Sequence, residues 1–392
     1  MSILSAVEKE LNPFPIYKKM RAEQPVYHDP ERDNWNIFRY KDVQWVLSDY
    51  ETFSSRFTGG EGGEGEPFSA SMIATDPPKH RQLRNLVSQA FTPKAVNALE
   101  PRIKEIVREH LEKVEGSGEM DVIQDLGYPL PVIVIAEMMG IPAEDRDKFK
   151  EWSDNIVALA DLRGDVDTSA FIENPSILEM SAYFMNMIEH RRQNPGDDLI
   201  SGLLKANIDG ETLNLVEMLG FCALLLVAGN ETTTNLIGNA MLTFSEHPEA
   251  WEKLRSDPKL LPQAIEEVLR YRSPVQSMFR VTKREVEVAG TKIPAGAPVV
   301  AWIGSANHDQ DQYEQADHFR LERQPKGHLG FGHGIHYCLG APLARLEAGI
   351  ALGEMIKRYK RVALKEGEKV ERMPSLLVYG LKNLHLTFEN GR

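Results

Sequence analysis

The chain has 392 residues and a formal net charge of −13, with 42% hydrophobic and 26% charged residues. That is ample material for a large core, and the acidic balance disfavours nucleic acid, whose phosphates would meet a repulsive field. Two cysteines, Cys222 and Cys338, exclude a disulfide framework and leave a thiol free for chemistry of its own.

The opening residues MSILSAVEKELNPF carry Glu8, Lys9 and Glu10 and lack the apolar run of a signal peptide. Helical periodicity then predicts helices over 79–90, 101–114, 144–160, 177–192, 213–244, 248–255, 262–271 and 342–359. Short strand signals fall at 36–39, 285–288, 298–302 and 384–388. Between the first strand and the first helix lies GGEGGEGEP at 59–67, which reads as a flexible acidic surface loop or, more sharply, a lid over a cavity. The most apolar stretch, 218–230, is shorter than the roughly 20 residues that span a bilayer. No membrane insertion and a cytoplasmic location are expected. The fold class is mainly α with small accessory β-sheets. With no repeat or linker, 1–392 reads as one domain, its β-rich part near 24–40 and 279–302.

Residues 331–340 read FGHGIHYCLG and run into Ala341-Pro342, so a glycine-rich loop delivers Cys338 to the start of a helix. Glycines at 332, 334 and 340 permit tight turns and close approach to a flat ligand. Free amides and the positive helix end favour a thiolate, and a thiolate on haem iron favours O–O cleavage. Three other readings stand beside it: a buried structural cysteine, a zinc site from His328, His333, His336 and Cys338, and a nucleophile with a loop histidine as base.

Upstream, an apolar run leads into Ala228-Gly229-Asn230-Glu231-Thr232-Thr233, poor helix material in mid-helix. Thr232 is placed to bond back to the Ala228 carbonyl, bend the helix and open a groove for dioxygen; the bland reading is a slightly weakened core helix. Cys222, on the same helix, reads as an inert buried thiol. Glu267 and Arg270 lie one turn apart on one face, as do His80 and Arg84.

The loop 331–340 resembles the haem-binding signature of the cytochromes P-450, Phe-Gly-x-Gly-x-His-x-Cys-x-Gly, at every position. The resemblance covers nearly the whole chain and is to the soluble bacterial class. It implies the cytochrome P-450 fold, a triangular-prism single domain with a long central helix over the haem, and a monooxygenase that hydroxylates or epoxidises a terpenoid, steroid, fatty acid or polyketide. Haem b is the implied cofactor, with Cys338 as iron ligand and Phe331, Gly332, Gly340, Ala228 and Gly229 against the haem. His80, Arg84, Arg280 and His336 are implied as propionate partners, Arg280 being hard to tell by pattern from Arg284. By the same resemblance Thr232 steadies dioxygen, Glu231 relays protons, and Glu267, Arg270 and Arg323 form a structural network.

Position relative to the family pattern makes Met72, Ile73, Leu225, Val275, Met278, Phe279, Leu377 and Val378 the candidate substrate contacts. Each is as readily ordinary core. The absence of charge among them favours a lipophilic small molecule, used with O2. No Gly-x-Gly-x-x-Gly fingerprint opens a helix, so electrons are expected from NAD(P)H through a ferredoxin or flavodoxin and its reductase. Arg102, Lys104, Arg108, Lys326 and Arg345 are candidates for docking that carrier, or simply a solvated face. A monomer is expected. Two rivals are a haem protein that only carries or senses a ligand, and a metal-dependent hydrolase; the Glu231–Thr232 pair argues against the first.

Overall fold

The computed structural model describes residues 7, 10–56, 69–161 and 174–391; the acidic 59–67 segment lies outside them. Asn214 starts the longest element. Its side chain accepts the N–H of Glu217 at 3.0 Å while the Glu217 carboxylate accepts the N–H of Asn214 at 2.9 Å, a reciprocal cap that satisfies two end donors. From there Leu215–Glu246 runs 32 residues without a break; the Thr232 back-bond does not interrupt it. Helical phase carries through the neutral polar residues after 230. The helix is therefore long and apolar enough to cross a membrane, which corrects the expectation that the chain has no such stretch. Here it is the core of the fold, with 56% of its most apolar window buried.

Pro129–Met139, with the sequence PLPVIVIAEMM, packs along this central helix. It is apolar on almost every side, so it carries no helical period and the pattern missed it. Gly229 makes the close approach: a Cβ there would sit 2.8 Å from Ile135 Cγ1. Ala341–Arg358, the helix that follows the cysteine, packs against the central helix, Glu100–Val114 and Leu261–Tyr271. Helices Phe14–Glu23, Tyr40–Ser48, Pro93–Ala98 and Leu199–Lys205 are further additions to the expected set. The expected helices appear with ends moved by a residue or two.

The strands are β1 (Val26–Asp29), β2 (Asn34–Ile37), β3 (Phe53–Ser54), β4 (Glu119–Asp121), β5 (Met278–Thr282), β6 (Val286–Val288), β7 (Thr291–Ile293), β8 (Pro298–Ala301), β9 (Tyr359–Leu364) and β10 (His385–Asn390). One sheet has the order β1-β2-β8-β5-β3, with β2 and β8 parallel and the other pairs antiparallel. It joins the 24–40 and 279–302 regions. A second sheet is β4-β10-β9, and β6-β7 is a hairpin. Alternation along the first sheet divides its side chains: Ile37, Val299 and Ala301 enter one apolar cluster, and Phe38, Val300 and Trp302 another.

Two ionic ties fix helices that flank the site. Lys79, at the start of Lys79–Ala90, pairs with Glu217 in the first turn of the central helix. Deeper, Arg270 donates from Nε and Nη2 to Glu267 at 2.8 Å each, with both side chains at 0% exposure. Arg270 also donates to the carbonyls of Asn307, Ala316 and His318. Glu267 accepts further from Arg323 Nε and the Arg320 N–H, both at 3.0 Å. The carboxylate thus locks the 307–323 loop to the helix. Removing one partner of a buried pair strands the other charge. Glu267→Gln is expected to cost about 3–5 kcal/mol, read as a lower urea midpoint at unchanged slope; a midpoint like the parent's would deny the network its structural weight.

Candidate functional site

The cysteine loop is built from turns that its sequence permits. Gly332 donates its N–H to Leu329 O at 2.8 Å, and Cys338 donates its N–H to Phe331 O at 2.9 Å. Gly332 and Gly334 have φ of 74° and 69°, the left-handed region that favours glycine. Gly334 also presses on Tyr40–Ser48, where a Cβ would lie 3.0 Å from Leu47 O. Gly340 is different. Its φ of −78° suits any residue; its amide and that of Ala341 lie close enough to the Cys338 sulfur to draw its pKa down, the Ala341 N–H itself donating to Cys338 O at 3.5 Å. These amides draw the thiol toward the thiolate, yet burial outweighs them and raises the Cys338 pKa. The amides act in the direction expected from the sequence, with burial as the larger, opposing influence. The sulfur favours the proton unless a cation takes its place.

Beside the loop, four basic side chains share one interior. The His80 and His336 rings lie 4.3 Å apart between centroids. His336 Nε2 bonds Ser55 Oγ at 2.9 Å, and Arg84 is near enough to Cys338 to draw its pKa down. Arg280, 4% exposed, donates to Phe279 O at 2.7 Å. Its rival Arg284 turns away to Thr52 Oγ1. The nearby carboxylate, Asp76, is already held by the Ser54 hydroxyl at 2.6 Å, the Ser55 N–H at 2.9 Å and Lys283 at 3.2 Å. Burial, then the charge of Arg84, lowers the His80 pKa to about 4 despite Asp76. Burial with the charges of Arg280 and His80 lowers His336 to about 3, and burial lowers Arg280 to about 10.

His80 Nε2 is buried with no hydrogen-bond partner. A crowd of donors short of free carboxylates among the described residues, next to a soft sulfur ligand, fits an iron porphyrin with two carboxylate arms. Ser55, Asp76 and Lys283 went unnoticed in the sequence; the only signal was Asp76 close before His80. The zinc alternative does not assemble. Among the described residues no three His, Cys, Asp or Glu side chains converge as metal ligands, and His328 is taken by Glu266 at 2.9 Å.

The middle of the central helix carries the expected polar pair on partly accessible turns. Met218–Leu224 and Thr233–Phe244 are buried on both flanks, whereas Leu225, Val227, Gly229, Glu231 and Thr232 are half-buried and Ala228 is exposed. Thr232 Oγ1 donates to Ala228 O at 2.8 Å, the back-bond expected from the spacing. Glu231 Oε1 accepts from Asn235 Nδ2 at 3.0 Å. Gly229 owes its missing side chain to Ile135, as above, a packing reason that the expected cofactor contact had not foreseen. Cys222 is fully buried, its thiol pushed up to about 12 by burial, as befits an inert core residue.

Of the candidate substrate contacts, Met72, Ile73, Leu225, Val275, Met278, Phe279 and Leu377 are half-buried and Val378 is buried. Val275 and Val378 meet in a β-bridge. Met278 packs with one cluster and Phe279 with another, because consecutive strand residues point oppositely. The docking candidates are less basic than they read. Arg102 binds Glu137 and Glu105, Lys104 binds Glu100, and Arg345 binds Glu266, so much of their charge is answered locally. Arg108 and Lys326 are exposed.

Comparison with known proteins agrees with this geometry. The family model described as Cytochrome P450 matches residues 17–388. Erythromycin C-12 hydroxylase of Saccharopolyspora erythraea is 41% identical, over 93% of this chain and 91% of that one. Cyclomarin C epoxidase CymV of Salinispora arenicola is 40% identical, over 95% of each. The crystal structure of CYP109E1 from Bacillus megaterium in complex with testosterone superposes with a TM-score of 0.85 at 44% identity, covering 96% of this chain and 99% of that one.

The histidine cluster predicts a pH dependence. Unfolded, His80 takes a proton near 6.5; folded, it resists until about 4. Between those values the unfolded chain binds the extra proton, so stability is full above 6.5 and falls as pH drops through the window. Without an anionic ligand, urea midpoints should fall across it, and His80→Gln should flatten the fall. An unaltered slope in that variant would remove His80 from the account.

Proposed function

The chain belongs to the cytochrome P450 family, and on that premise we propose the following roles for its site. It is a haem-thiolate monooxygenase using haem b. When bound, the haem iron supplies the activation of dioxygen and the insertion of one oxygen atom into the substrate. Cys338 would hold the iron, with the Gly340 and Ala341 amides close by to favour its thiolate. His80, Arg84, Arg280 and His336 take the two propionates, which would relieve the repulsion among them. The observation that carries this reading is that basic cluster, gathered around Cys338, with Asp76, the carboxylate beside it among the described residues, already engaged.

The central helix handles protons. Thr232 gives its own hydroxyl proton to the Ala228 carbonyl, so Oγ1 offers lone pairs to the accessible side and can hold a proton-bearing donor there. Glu231, with Oε1 held by Asn235, brings protons to it from solvent. Phe331, Gly332 and Ala228 would border the haem, while Gly229 sets how close the central helix lies to Pro129–Met139. Residues 1–392 act as one catalytic domain, and the Glu267–Arg270–Arg323 network supports it from below.

The substrate is a neutral lipophilic molecule in the size range of steroids and macrolides, hydroxylated or epoxidised. Relatives named for erythromycin and cyclomarin C, and a structure containing testosterone, support that range. Met72, Ile73, Leu225, Val275, Met278 and Leu377 offer it apolar surface, while Phe279 and Val378 back them. A ferredoxin or flavodoxin with its NAD(P)H reductase supplies electrons. The protein works as a soluble cytoplasmic monomer.

An absorption spectrum reduced under carbon monoxide tests the core of this. A strongly red-shifted Soret band, lost in Cys338→His, is expected; haem with an unshifted band in the parent would reject thiolate ligation. For the proton path, Thr232→Ala should divert about tenfold more NAD(P)H electrons to peroxide than the parent does. Coupling equal to the parent's would take Thr232 out of the path.

A further inference from the structure

Glu266 has no part in the roles above, although it adjoins Glu267. Both of its oxygens are engaged. Oε1 accepts from Arg345 Nε at 2.7 Å, and Oε2 accepts from Arg345 Nη2 and pairs with His328 Nε2, each at 2.9 Å. Burial alone would raise its pKa, but Arg345 and His328 hold it down at about 2, so it is charged at any working pH. His328, 9% exposed, accepts the Gly330 N–H on Nδ1 at 3.2 Å. A neutral His328 therefore keeps its proton on Nε2, facing Glu266. Gly330 is wedged in place, since a Cβ there would lie 2.8 Å from Leu269 O and 3.1 Å from His328 Nδ1.

Both arms lead to Phe331. One is the main chain just before it, held through His328 and Gly330. The other is the Arg345 guanidinium, 4.5 Å from the Phe331 ring centroid. Phe331 in turn offers the carbonyl that receives the Cys338 N–H at 2.9 Å. We propose that Glu266 is a positioning residue for the cysteine loop, gripping Phe331 through His328 and Arg345 and so seating Cys338. Two consecutive glutamates on one helix then serve two loops: Glu267 fixes 307–323 and Glu266 fixes 328–338. The proposal rests on the haem-thiolate reading for its spectroscopic arm alone.

The test uses the holoenzyme, with Glu266→Gln and Arg345→Lys. Amide exchange is followed by peptide, together with the rate at which the red-shifted reduced carbon-monoxide band is lost in mild denaturant. Glu266→Gln should speed exchange in the 329–340 peptide and loss of the band by about tenfold, the scale of one charge-assisted hydrogen bond. Peptides of the first sheet should exchange as in the parent. Arg345→Lys keeps the charge but loses the fork and the stack, and should show a smaller rise in both readouts. Parent-like exchange and band loss in both variants would overturn the proposal, as would acceleration spread evenly over the chain. If Glu266→Gln does not fold, Arg345→Lys decides by the same readouts. If the parent lacks the red-shifted band, the ligation reading falls while exchange still judges the clamp.

Discussion

Burying positive charge is costly unless an anion comes with it, and among the described residues this fold gathers His80, Arg84, Arg280 and His336 around a cysteine with only the already engaged Asp76 beside them. Much of the architecture answers that constraint. Asp76 is committed to Ser54, Ser55 and Lys283, so it offers the cluster a field more than a partner. Burial first, and the neighbouring arginines after it, keep the histidines neutral. What remains is a set of donors oriented before any ligand arrives, the arrangement that spares an incoming anion the cost of organising its site.

Loops make the site, and helices hold the loops. The cysteine loop takes its shape from glycines at left-handed φ, and carboxylates on Leu261–Tyr271 tie down Arg323 and His328 in the chain that leads into it. Each carboxylate accepts from several donors at once, a stiffer joint than separate surface pairs would give. In the central helix the buried stretches Met218–Leu224 and Thr233–Phe244 flank partly accessible middle turns, so polarity at Glu231 and Thr232 sits where it can meet small molecules.

How much of this was legible in the sequence follows from distance along the chain. The cysteine loop and the Ala228–Thr232 back-bond are contiguous, and both could be read. Amphipathic helices such as Glu100–Val114 showed their period; Pro129–Met139 did not, being apolar nearly all round. Ser55 and Lys283 come from segments far from His336 and His80, and no local pattern links them. The same blindness affected charge: Arg102 and Arg345 read as free cations because Glu137 and Glu266 arrive from other helices. Gly229 looked like a residue making room for a ligand, when the neighbour it admits is Ile135.

Lys79 on Glu217 gives the two helices bracketing the site a common anchor. Gln82 adds a bond to Glu211 and Gln89 one to Asn207, so the connection before the central helix is stitched along Lys79–Ala90. An ordinary surface loop absorbs insertions cheaply. This one behaves more like a gear train. Each residue added to the helix start would turn its phase by about 100°, and the stitching would pass that rotation to the helix bearing His80 and Arg84. Length variation that retunes substrate access is thus better accommodated elsewhere in the chain.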